Sequence, residues 1–546
     1  MINEILCKIK DKLKSLIEEK GINEEIILEI PKEESNGDYA TNLALKLAKS
    51  LRKPPMAIAQ DIVKEFDLKE FHLDKIEIAN PGFINFFLDK KYLAKIVFQI
   101  LDLKEDYGKL EIGANKRVNI EFVSANPTGY LHIGHGRGAA YGDSLSRIFK
   151  KVGYEVTKEH YVNDAGNQIR NLAISIYERY KELFGHKANL GEDGYYGKEI
   201  IQIAKMIKNE KNDEFLESDS WYPFFREYGT KFLLEGLKKD LKLFNVEFDI
   251  WFSEQSLYDN GEVDATFKKI SELGYTYEKD GATWLRTTDF GDEKDRVLIK
   301  NDKTLTYLMP DIAYHYNKLR RGYDYLIDVL GADHHGYINR LKAAIAILGK
   351  DPDMLDVDIL QMVRVIQDGE EIKMSKRSGK AITLHDLMEE IGTDALRFLY
   401  SSKALNTHMD LDLDLAIKNS NENPVYYVQY AYARICSLFK VAKDRGIKLK
   451  PLNEFEKIDV KSIEKIIKVL IQYPNYIEEA ATKRRPHKLI QYALELATCV
   501  HSYYNDEKII TEDEKLTIEK MTVFEAVKIV LKDCLSLVGV GVKEKM

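Results

Sequence analysis

The sequence predicts an α/β protein with three regions, and three patterns along its 546 residues carry that prediction. Apolar runs of helical and strand period alternate over residues 111–404, which is typical of a parallel sheet covered by helices. Before them, residues 1–110 combine helical spacing with a Pro-Gly hairpin, which predicts a small α/β domain. After them, residues 405–546 show helical spacing alone, which predicts an α-helical bundle.

The composition favours a packed globular chain and excludes several classes of protein. Hydrophobic residues make up 45% and charged residues 31% of the sequence, so a disordered or fibrous chain is not expected. There is no apolar run of about 18 residues, the length that a membrane-spanning helix needs. The charged N-terminus does not fit a signal peptide, and the four scattered cysteines form no CxxC pair. We therefore expect a reducing, cytoplasmic location, without a membrane partner or a thiolate zinc site.

The charge distribution bears on possible partners. The formal net charge is −8, which counts against a nucleic-acid partner because phosphate contacts need Lys and Arg. However, residues 405–546 contain 22 basic and 21 acidic residues, a net charge of +1, so the rest of the chain carries −9. A large chain can therefore still present a local basic face.

The N-terminal region predicts four elements. Residues 2–20 place apolar side chains at helical spacing, and residues 26–30 have the pattern of a short strand. A second helix is predicted over residues 39–51, before Pro54 and Pro55. The segment KIEIANPGFINFFL consists of two alternating runs around a Pro-Gly turn, which predicts a β-hairpin.

The second region opens with KRVNIEFVSANPTGYLHIGHGRGAAYGDSLSRIFKKVGYEV, which predicts strand, loop, helix and strand. This is the first unit of a Rossmann-like parallel sheet. Residues 185–295 have weak periodicity and many Gly, Asp and Tyr residues, and we interpret them as an insertion. The bundle is predicted from four segments with one apolar face each: YYVQYAYARICSLFKVA, VKSIEKIIKVLIQYP, PHKLIQYALELATCVHSYYN and EAVKIVLKDCLSLVGV.

A first chemical signal lies between the opening strand and its helix. His132 and His135 are three residues apart and share one face of a helical turn. Gly134, Gly136 and Gly138 remove side chains there, so that a base or a phosphate can approach the backbone. The N–H groups at the start of a helix attract anions. The segment therefore favours a nucleotide site; the alternative is a glycine-rich helix packed tightly on the sheet, with histidines that are merely hydrogen-bonded.

A second signal is the pair of lysines in KMSKRSG. Lys373 and Lys376 follow a predicted strand and an Asp368-Gly369 turn. Two ammonium groups on a loop suit a pyrophosphate group, whose charge increases as it leaves. A solvated basic loop is the alternative, and it is the usual meaning of such a run.

Together these motifs give the chain a recognisable signature. HIGH after an early strand, with KMSK about 240 residues later and before a helical region, resembles the class I aminoacyl-tRNA synthetases. Within them, EFVSANPTGYLHIGHGRGAAYGD, EHYVNDAGNQI, NPGFIN and GTDALRFLY resemble the arginyl-tRNA synthetases over nearly the whole chain. The resemblance implies an arginine–tRNA ligase that uses ATP with Mg²⁺ as a substrate complex and no tightly bound cofactor. It also implies that ATP is bound by His132, Gly134, His135, His334 of GADHHGY, Lys373 and Lys376, with both histidines and both lysines assisting catalysis.

The amino-acid pocket has support from the residues themselves. In VNIEFV the polar Asn119 and Glu121 alternate with apolar residues, and a central parallel strand is covered on both faces. A buried Glu121 needs a partner, and a ligand guanidinium can bind a carboxylate through two hydrogen bonds. Asp311 is a second candidate acceptor, although Asp after Pro310 also suits the first turn of a helix. By resemblance, arginine is held by Glu121, Asn126, His132, Tyr307 and Asp311.

Contacts with tRNA are predicted in both terminal regions. The helical bundle is expected to read the anticodon, with Lys483, Arg484 and Arg485 meeting phosphates. Its tyrosines are candidates for base stacking, although core packing is the commoner role for any one of them. By resemblance, the N-terminal region contacts the tRNA elbow through Asn80, Phe83 and Asn85; the alternative is that these asparagines only stabilise a turn. We expect a monomer that requires tRNA for the activation step.

Other interpretations stay open from the sequence. Cysteine or glutamate are alternative substrates, but a cysteine site would favour a zinc cluster and a glutamate pocket should be basic. A catalytically inactive RNA-binding relative, or a smaller adenylyl-transferring enzyme, are further alternatives. Asp333 and His335 beside His334 also suggest a metal site, but no other ligand cluster accompanies them, so none is predicted. Tyr130 departs from the Pro that commonly precedes the LHIGH segment, which leaves the packing under the ATP loop open.

Overall fold

The computed structural model describes residues 2–372 and 382–546. In the first region, β1 to β3 form an antiparallel sheet in the order β1-β3-β2, covered by helices. Its elements are α1 (Ile2–Glu18), β1 (Tyr39–Thr41), α2 (Leu43–Leu51), α3 (Pro55–Val63), β2 (Leu73–Ala79), β3 (Phe83–Leu88), α4 (Lys90–Leu93) and α5 (Lys95–Leu103).

Most of the N-terminal prediction is confirmed, with two corrections. The first helix and the hairpin β2–β3 form as predicted. The strand predicted over residues 26–30 is wrong: only Glu29 forms an isolated bridge, to Ala40. Ile27 and Ile30 are exposed, so their apolar character does not correspond to burial. The second helix begins at Leu43 rather than at Tyr39, because residues 39–41 pair with the edge of β3.

The central region contains the strands of the main sheet and the helices that cover it. Its elements, up to the last strand of the main sheet, are β4 (Arg117–Glu121), α6 (Ile133–Lys151), β5 (Glu155–Val162), α7 (Gly166–Glu182), α8 (Lys198–Lys211), α9 (Trp221–Leu243), β6 (Ile250–Ser253), α10 (Gln255–Asp259), α11 (Glu262–Glu272), β7 (Thr276–Lys279), β8 (Ala282–Leu285), β9 (Arg296–Ile299), α12 (Leu308–Arg320), β10 (Tyr325–Gly331), α13 (Ile338–Ile347) and β11 (Leu355–Leu360). The region continues with β12 (Val363–Gln367), β13 (Glu370–Glu371), α14 (Leu384–Ile391), α15 (Thr393–Ser401), β14 (Met409–Asp412) and α16 (Leu413–Ala416).

The main sheet is parallel, with the strand order β11-β10-β4-β5-β6. Its central strand β4 is buried on both faces: Val118, Asn119 and Ile120 have no exposed surface, and Glu121 is 6% exposed. This confirms the two-sided cover that the sequence predicts. In such a sheet, ligands bind beyond the carboxyl ends of the strands, where β4 continues into the His132 loop.

The range predicted as an insertion is more regular than its sequence pattern suggests. It contains the long helices α8 and α9, and also β6, which pairs with β5 as the edge strand of the main sheet. Residues 250–253 are thus part of the main sheet. The exposed faces of α8 and α9 and the shortness of β6 explain why the periodicity is weak.

The C-terminal region is a helix bundle, as predicted, and it shares a core with the N-terminal region. Tyr107 donates a hydrogen bond to the Leu470 carbonyl (2.7 Å), and the apolar side chains of both regions form one continuous cluster. The bundle helices are α17 (Pro424–Asp444), α18 (Glu464–Thr482), α19 (His487–Asp506) and α20 (Glu514–Leu537). Over the described residues, no helix is both long and apolar enough to span a membrane.

Helix α6 packs so closely on the sheet that two of its glycines differ sharply in what they tolerate. A Cβ at Gly142 would lie 2.2 Å from the ring of Phe122, whereas a Cβ at Gly138 would meet its nearest neighbour, Leu360, at 3.6 Å. We expect G142A to lower the free energy of unfolding by about 1–3 kcal/mol through overpacking. G138A should be neutral or stabilising, because Ala gains up to about 1 kcal/mol over Gly inside a helix.

Urea unfolding of both variants, followed by far-UV circular dichroism, checks this prediction. Equal midpoints for G142A and G138A would contradict it, because they would show that the ring of Phe122 moves aside at no cost.

Candidate active site

The two histidines of the HIGH segment form the N-terminal cap of α6. The Nδ1 atom of His132 accepts a hydrogen bond from the Gly134 N–H (3.1 Å), and the Nδ1 atom of His135 accepts one from the His132 N–H (3.2 Å). The two rings stack with centroids 3.7 Å apart. This reciprocal capping box satisfies N–H groups at the helix start and fixes the orientation of both rings. The histidines therefore lie where helix N–H groups favour an anion.

The glycines of this helix bear on the two interpretations that the sequence left open, a nucleotide site and a helix packed tightly on the sheet. A Cβ at Gly136 would meet Leu384 at 2.7 Å and Tyr400 at 2.9 Å, so Gly136 is required for packing. A Cβ at Gly134 would meet the ring of His132 at 3.1 Å, so its absence keeps space beside that ring. Gly138 has no close contact.

The chain that follows the KMSK segment is attached directly to the HIGH segment. The Leu384 N–H donates to the Leu131 carbonyl (2.8 Å), and His132 forms a β-bridge with Thr383. Thr383 also caps α14 through a reciprocal pair of hydrogen bonds with Asp386. The two predicted lysines, Lys373 and Lys376, lie outside the described residues, as does the side chain of His334.

A cleft of about 1880 Å³ opens beside the HIGH segment. One wall carries Asn126 and the two histidines, and the opposite wall carries residues of the α8–α9 segment. Asn126 donates to Gln168 (2.6 Å). Tyr130 is 39% exposed, and its hydroxyl lies 3.4 Å from the side-chain oxygen of Gln202 on α8. The larger ring at this position thus contacts the α8 segment.

Three carboxylates form a row across neighbouring strands on one face of the main sheet. Asp328 on β10 is the register partner of Glu121 on β4, which is in turn the register partner of Glu159 on β5. All three are buried. Like charges that lie opposite each other on adjacent strands repel, and burial removes the water that would screen them. The row therefore needs cations above it.

Helix α12 and the residue after it supply these cations. The Nζ atom of Lys318 lies 2.5 Å from Oε2 of Glu121 and 2.9 Å from Oδ1 of Asp328. Arg321 donates two hydrogen bonds of 2.8 Å to the carboxylate of Glu159. The protein itself thus provides a partner for the buried Glu121.

His315 extends the network to the predicted arginine ligand Asp311. Its Nδ1 atom lies 3.1 Å from Oδ1 of Asp311, and its Nε2 atom lies 2.7 Å from Oδ2 of Asp328. Burial alone would lower the pKa of His315, but these two carboxylates outweigh burial and raise the pKa to about 10. His315 is therefore a cation at neutral pH.

The network contains one more carboxylate than cations. Burial raises the pKa of Glu121 in spite of the neighbouring Lys318, which indicates that its negative charge is incompletely compensated. Beyond it, at the end of β6, the carboxyl of Glu254 is 7% exposed, and burial raises its pKa as well. The members are the carboxylates Glu121, Glu159, Asp311 and Asp328 and the cations His315, Lys318 and Arg321.

The loop that leaves β4 is strained at this point. Val123 has φ 71° and Ser124 has φ 36°, although a β-branched residue rarely adopts the left-handed region. The Ser124 hydroxyl donates to Oε1 of Glu121 (2.8 Å) and accepts from the Tyr161 N–H (3.1 Å). The strain therefore places a hydrogen-bond donor against the carboxylate of Glu121.

The sequence interpretation missed His315, Lys318, Asp328, Glu159 and Arg321. One signal was available: Asp311, His315 and Lys318 are spaced by four and three residues, which puts them on one face of the helix. Tyr307 directly precedes this helix and is 76% exposed. The first-turn position of Asp311 agrees with the helix-dipole interpretation.

The predicted tRNA contacts fall in different environments. Phe83 is 37% exposed, but Asn85 is only 4% exposed in the middle of β3, which argues against direct contact through its side chain. Lys483 and Arg485 are exposed. Arg484 lies in the interface between the bundle and the sheet, where it pairs with Asp356 (2.7 Å) and Asp358 (3.0 Å) on β11. Of the tyrosines, Tyr432 is buried, whereas Tyr426, Tyr427 and Tyr430 are half-buried.

Comparison with known proteins agrees with this architecture. Family profiles match three consecutive stretches: "Arginyl tRNA synthetase N terminal domain" at residues 3–88, "tRNA synthetases class I (R), catalytic domain" at 96–418, and "DALR anticodon binding domain" at 428–546. The arginine–tRNA ligase of Bacillus subtilis is 48% identical over 546 residues, covering 98% of both chains. That of Geobacillus thermodenitrificans is 47% identical over 555 residues, with full coverage of both.

Solved structures show the same fold. A Campylobacter jejuni chain assigned as an arginyl-tRNA synthetase superposes with a TM-score of 0.77 at 35% identity, covering 84% of this chain and all of that one. The Thermus thermophilus arginyl-tRNA synthetase gives a TM-score of 0.73 at 20% identity, covering 99% of both, and supports the fold alone. The parallel sheet with its HIGH cap thus defines a class I aminoacyl-tRNA synthetase. Within that class, the chain belongs to the arginyl-tRNA synthetase family.

Arg484 is expected to stabilise the contact between bundle and sheet. Its guanidinium is half-buried between the carboxylates of Asp356 and Asp358, and its removal leaves both carboxylates without this cation. We expect R484A to lower the thermal unfolding midpoint by several degrees, because about 1–3 kcal/mol of charged hydrogen bonding is lost. R485A, which changes an exposed neighbour, is the matched control and should shift the midpoint by less than about 1 °C. Equal shifts in scanning calorimetry would contradict a specific role for Arg484.

The raised pKa of His315 predicts a dependence of stability on pH. The stabilisation from its protonated form is complete below the ordinary pKa of about 6.5 and is lost as the pH rises toward the folded value of about 10. The difference in free energy of unfolding between the wild type and H315Q should therefore shrink between pH 7 and pH 9.5. Urea titrations at both values measure it, and a difference that grows with pH would contradict a charged His315.

Proposed function

We propose that the chain carries out its family's reaction, the ligation of arginine to tRNA, at the carboxyl edge of the main sheet. The observation that carries the proposal is the excess carboxylate in the network around Glu121, beside the loop that leads to the HIGH cap. A cationic side chain would compensate this charge, whereas glutamate would add to it. The order of the three regions, 1–110, 111–404 and 405–546, agrees with a tRNA elbow contact, a catalytic domain and an anticodon domain.

The arginine pocket we propose uses two carboxylates. Glu121 and Asp311 accept hydrogen bonds from the substrate's cationic groups, and a guanidinium suits them because it offers five donors in a planar fork. Asn126 and His132 hold the part of arginine nearest the reacting carboxylate. Tyr307, exposed at the start of α12, covers the pocket when the substrate is bound.

The nucleotide site we propose is the start of α6. Its N–H groups and His132, Gly134 and His135 receive the phosphates of ATP, which enters as a complex with Mg²⁺. Lys373 and Lys376 stabilise the leaving pyrophosphate, and His334 contacts the adenosine side. The attachment of Leu384 to Leu131 supports this, because it ties the chain after the lysines to the histidine loop.

The reaction then proceeds in two steps. The arginine carboxylate attacks the α-phosphorus of ATP, and the bond to pyrophosphate breaks, which gives arginyl-adenylate. A terminal ribose hydroxyl of tRNA attacks the carbonyl carbon, and AMP leaves. The protein contributes position and charge stabilisation rather than a covalent intermediate.

The tRNA contacts we propose use the exposed residues. Lys483 and Arg485 in the bundle meet phosphates, and the half-buried Tyr426 and Tyr430 stack with bases. Asn80 and Phe83 contact the elbow of the tRNA. We further propose that the chain acts as a cytoplasmic monomer and that bound tRNA is needed for arginine activation.

ATP–pyrophosphate exchange tests the proposal directly. Arginine should support exchange in the presence of its tRNA, and glutamate, cysteine and lysine should not. Exchange with glutamate or cysteine instead of arginine would contradict the substrate. Equal exchange without tRNA would contradict only the tRNA requirement.

Two substitutions test the pocket. We expect E121Q and D311N each to raise the KM for arginine by about 10- to 100-fold, because a charged hydrogen bond of about 1.5–3 kcal/mol is lost. D292N is the control: Asp292 is a buried carboxylate that pairs with Arg296, at the start of β9 and outside the network. It should leave the KM for arginine unchanged. An unchanged KM in E121Q and D311N would remove these carboxylates from the pocket.

A further inference from the structure

Helix α12 carries a polar stripe in an otherwise apolar setting. Asp311, His315 and Lys318 follow each other at intervals of four and three residues, so they lie on one face of the helix. The side chain of Asp311 is 27% exposed, whereas those of His315 and Lys318 are 4% and 0% exposed. Charged side chains are rarely buried so completely unless they are paired with opposite charges.

Through this stripe, an alternating chain of charges connects the two carboxylates proposed to bind arginine. From Asp311 the contacts run to His315 (3.1 Å), from His315 to Asp328 (2.7 Å), from Asp328 to Lys318 (2.9 Å), and from Lys318 to Glu121 (2.5 Å). The signs alternate from one end to the other. Both ends are carboxylates, and both interior cations are held by two carboxylates each.

The geometry of the chain leaves its members little freedom. Asp328 and Glu121 are fixed on adjacent parallel strands by backbone register, and Lys318 lies between their carboxylates. On the other side of Asp328, His315 uses both ring nitrogens, so its ring cannot rotate without losing a contact. A displacement of either cation would therefore move the carboxylate at the corresponding end of the chain.

We propose that His315 and Lys318 are positioning residues for arginine selection, which hold the carboxylates of Asp311 and Glu121 in the orientation that a guanidinium substrate requires. Neither residue contacts the substrate; each acts through the carboxylate it binds. The inference rests on the proposed arginine pocket and adds to it the residues that set its geometry. Lys318 also lies between Glu121 and Asp328 and contacts both carboxylates.

A positioning role differs from a purely structural one in what it changes. If the two cations only stabilised the fold, their loss would lower the stability and the amount of active enzyme, which reduces kcat without favouring one substrate. If they orient the carboxylates, their loss must raise the KM for arginine and leave the KM for ATP alone. It must also reduce the preference for arginine over citrulline, which has the same shape but a neutral urea group.

The experiment compares H315Q and K318M in tRNA-dependent ATP–pyrophosphate exchange. We expect each to raise the KM for arginine by about tenfold or more, since displacement of a positioning group by 1 Å costs up to about 100-fold. The KM for ATP should stay within about twofold, because His315 and Lys318 bind carboxylates of the proposed arginine pocket. The preference for arginine over citrulline should fall by a similar factor.

Arg397 provides the matched control. It is a fully buried cation that pairs with Asp143 (2.8 Å), outside the network. R397M should lower the thermal unfolding midpoint as much as K318M does, while the KM for arginine and the preference over citrulline stay unchanged. If R397M changed them as K318M does, the effect would be one of general stability, and the proposal would be overturned.

Double variants separate this inference from the pocket on which it rests. If Lys318 acts through Glu121, then E121Q/K318M should have no higher KM for arginine than E121Q alone; the same holds for D311N/H315Q against D311N. The first double variant also removes both members of a pair, which protects the fold if K318M alone is unstable.

Additive effects would overturn the positioning role. A KM that rises in E121Q and D311N but not in H315Q or K318M would overturn it too, while the pocket would stand. An unchanged KM in all four single variants would overturn both.

Discussion

The ammonium group of Lys318 lies between two carboxylates that backbone register places side by side, and much of the surrounding structure follows from that constraint. Glu121 and Asp328 cannot separate, because their strands are hydrogen-bonded neighbours in the centre of the sheet. They cannot both stay ionised in a buried position without a cation between them. Helix α12 must therefore pack with its polar stripe facing the sheet, and the same packing brings Asp311 to the carboxyl edge.

A second constraint fixes the neighbouring site. The side chain of His135 accepts a hydrogen bond from the His132 N–H, and the side chain of His132 accepts one from the Gly134 N–H. The HIGH segment thus builds its own helix cap. Thr383 and Leu384 then attach to that cap. The phosphate site and the chain that follows the KMSK lysines are thus parts of one local structure.

Whether an interaction can be predicted from the sequence depends on whether it is local. The helix that begins at the HIGH segment, the hairpin and the bundle helices follow from spacing within a few residues, and the structure confirms each of them. The need of Glu121 for a partner was also predictable, because a charged residue in a central parallel strand is buried. That the partner is Lys318 was not: it lies 197 residues further along, and a lysine in a helix is usually solvated. The contacts of Arg484 were not predictable for the same reason, because a basic run in a bundle gives no indication that one of its members binds Asp356 and Asp358 on the sheet.

The net charge of −8 illustrates why sums of charge say little about partners in a protein of this size. Four of its carboxylates lie in the network around α12, where three cations oppose them and where solvent and distant charges have little influence. A substrate in the proposed arginine pocket would meet the local excess, not the total. The exposed Lys483 and Arg485 belong to a bundle region whose charge is close to neutral, so a polyanion approaching it meets no net repulsion from that region. A family that joins a cationic amino acid to a polyanionic RNA needs both conditions at once, and an acidic pocket inside the sheet domain with a neutral bundle beside it satisfies them without a basic protein.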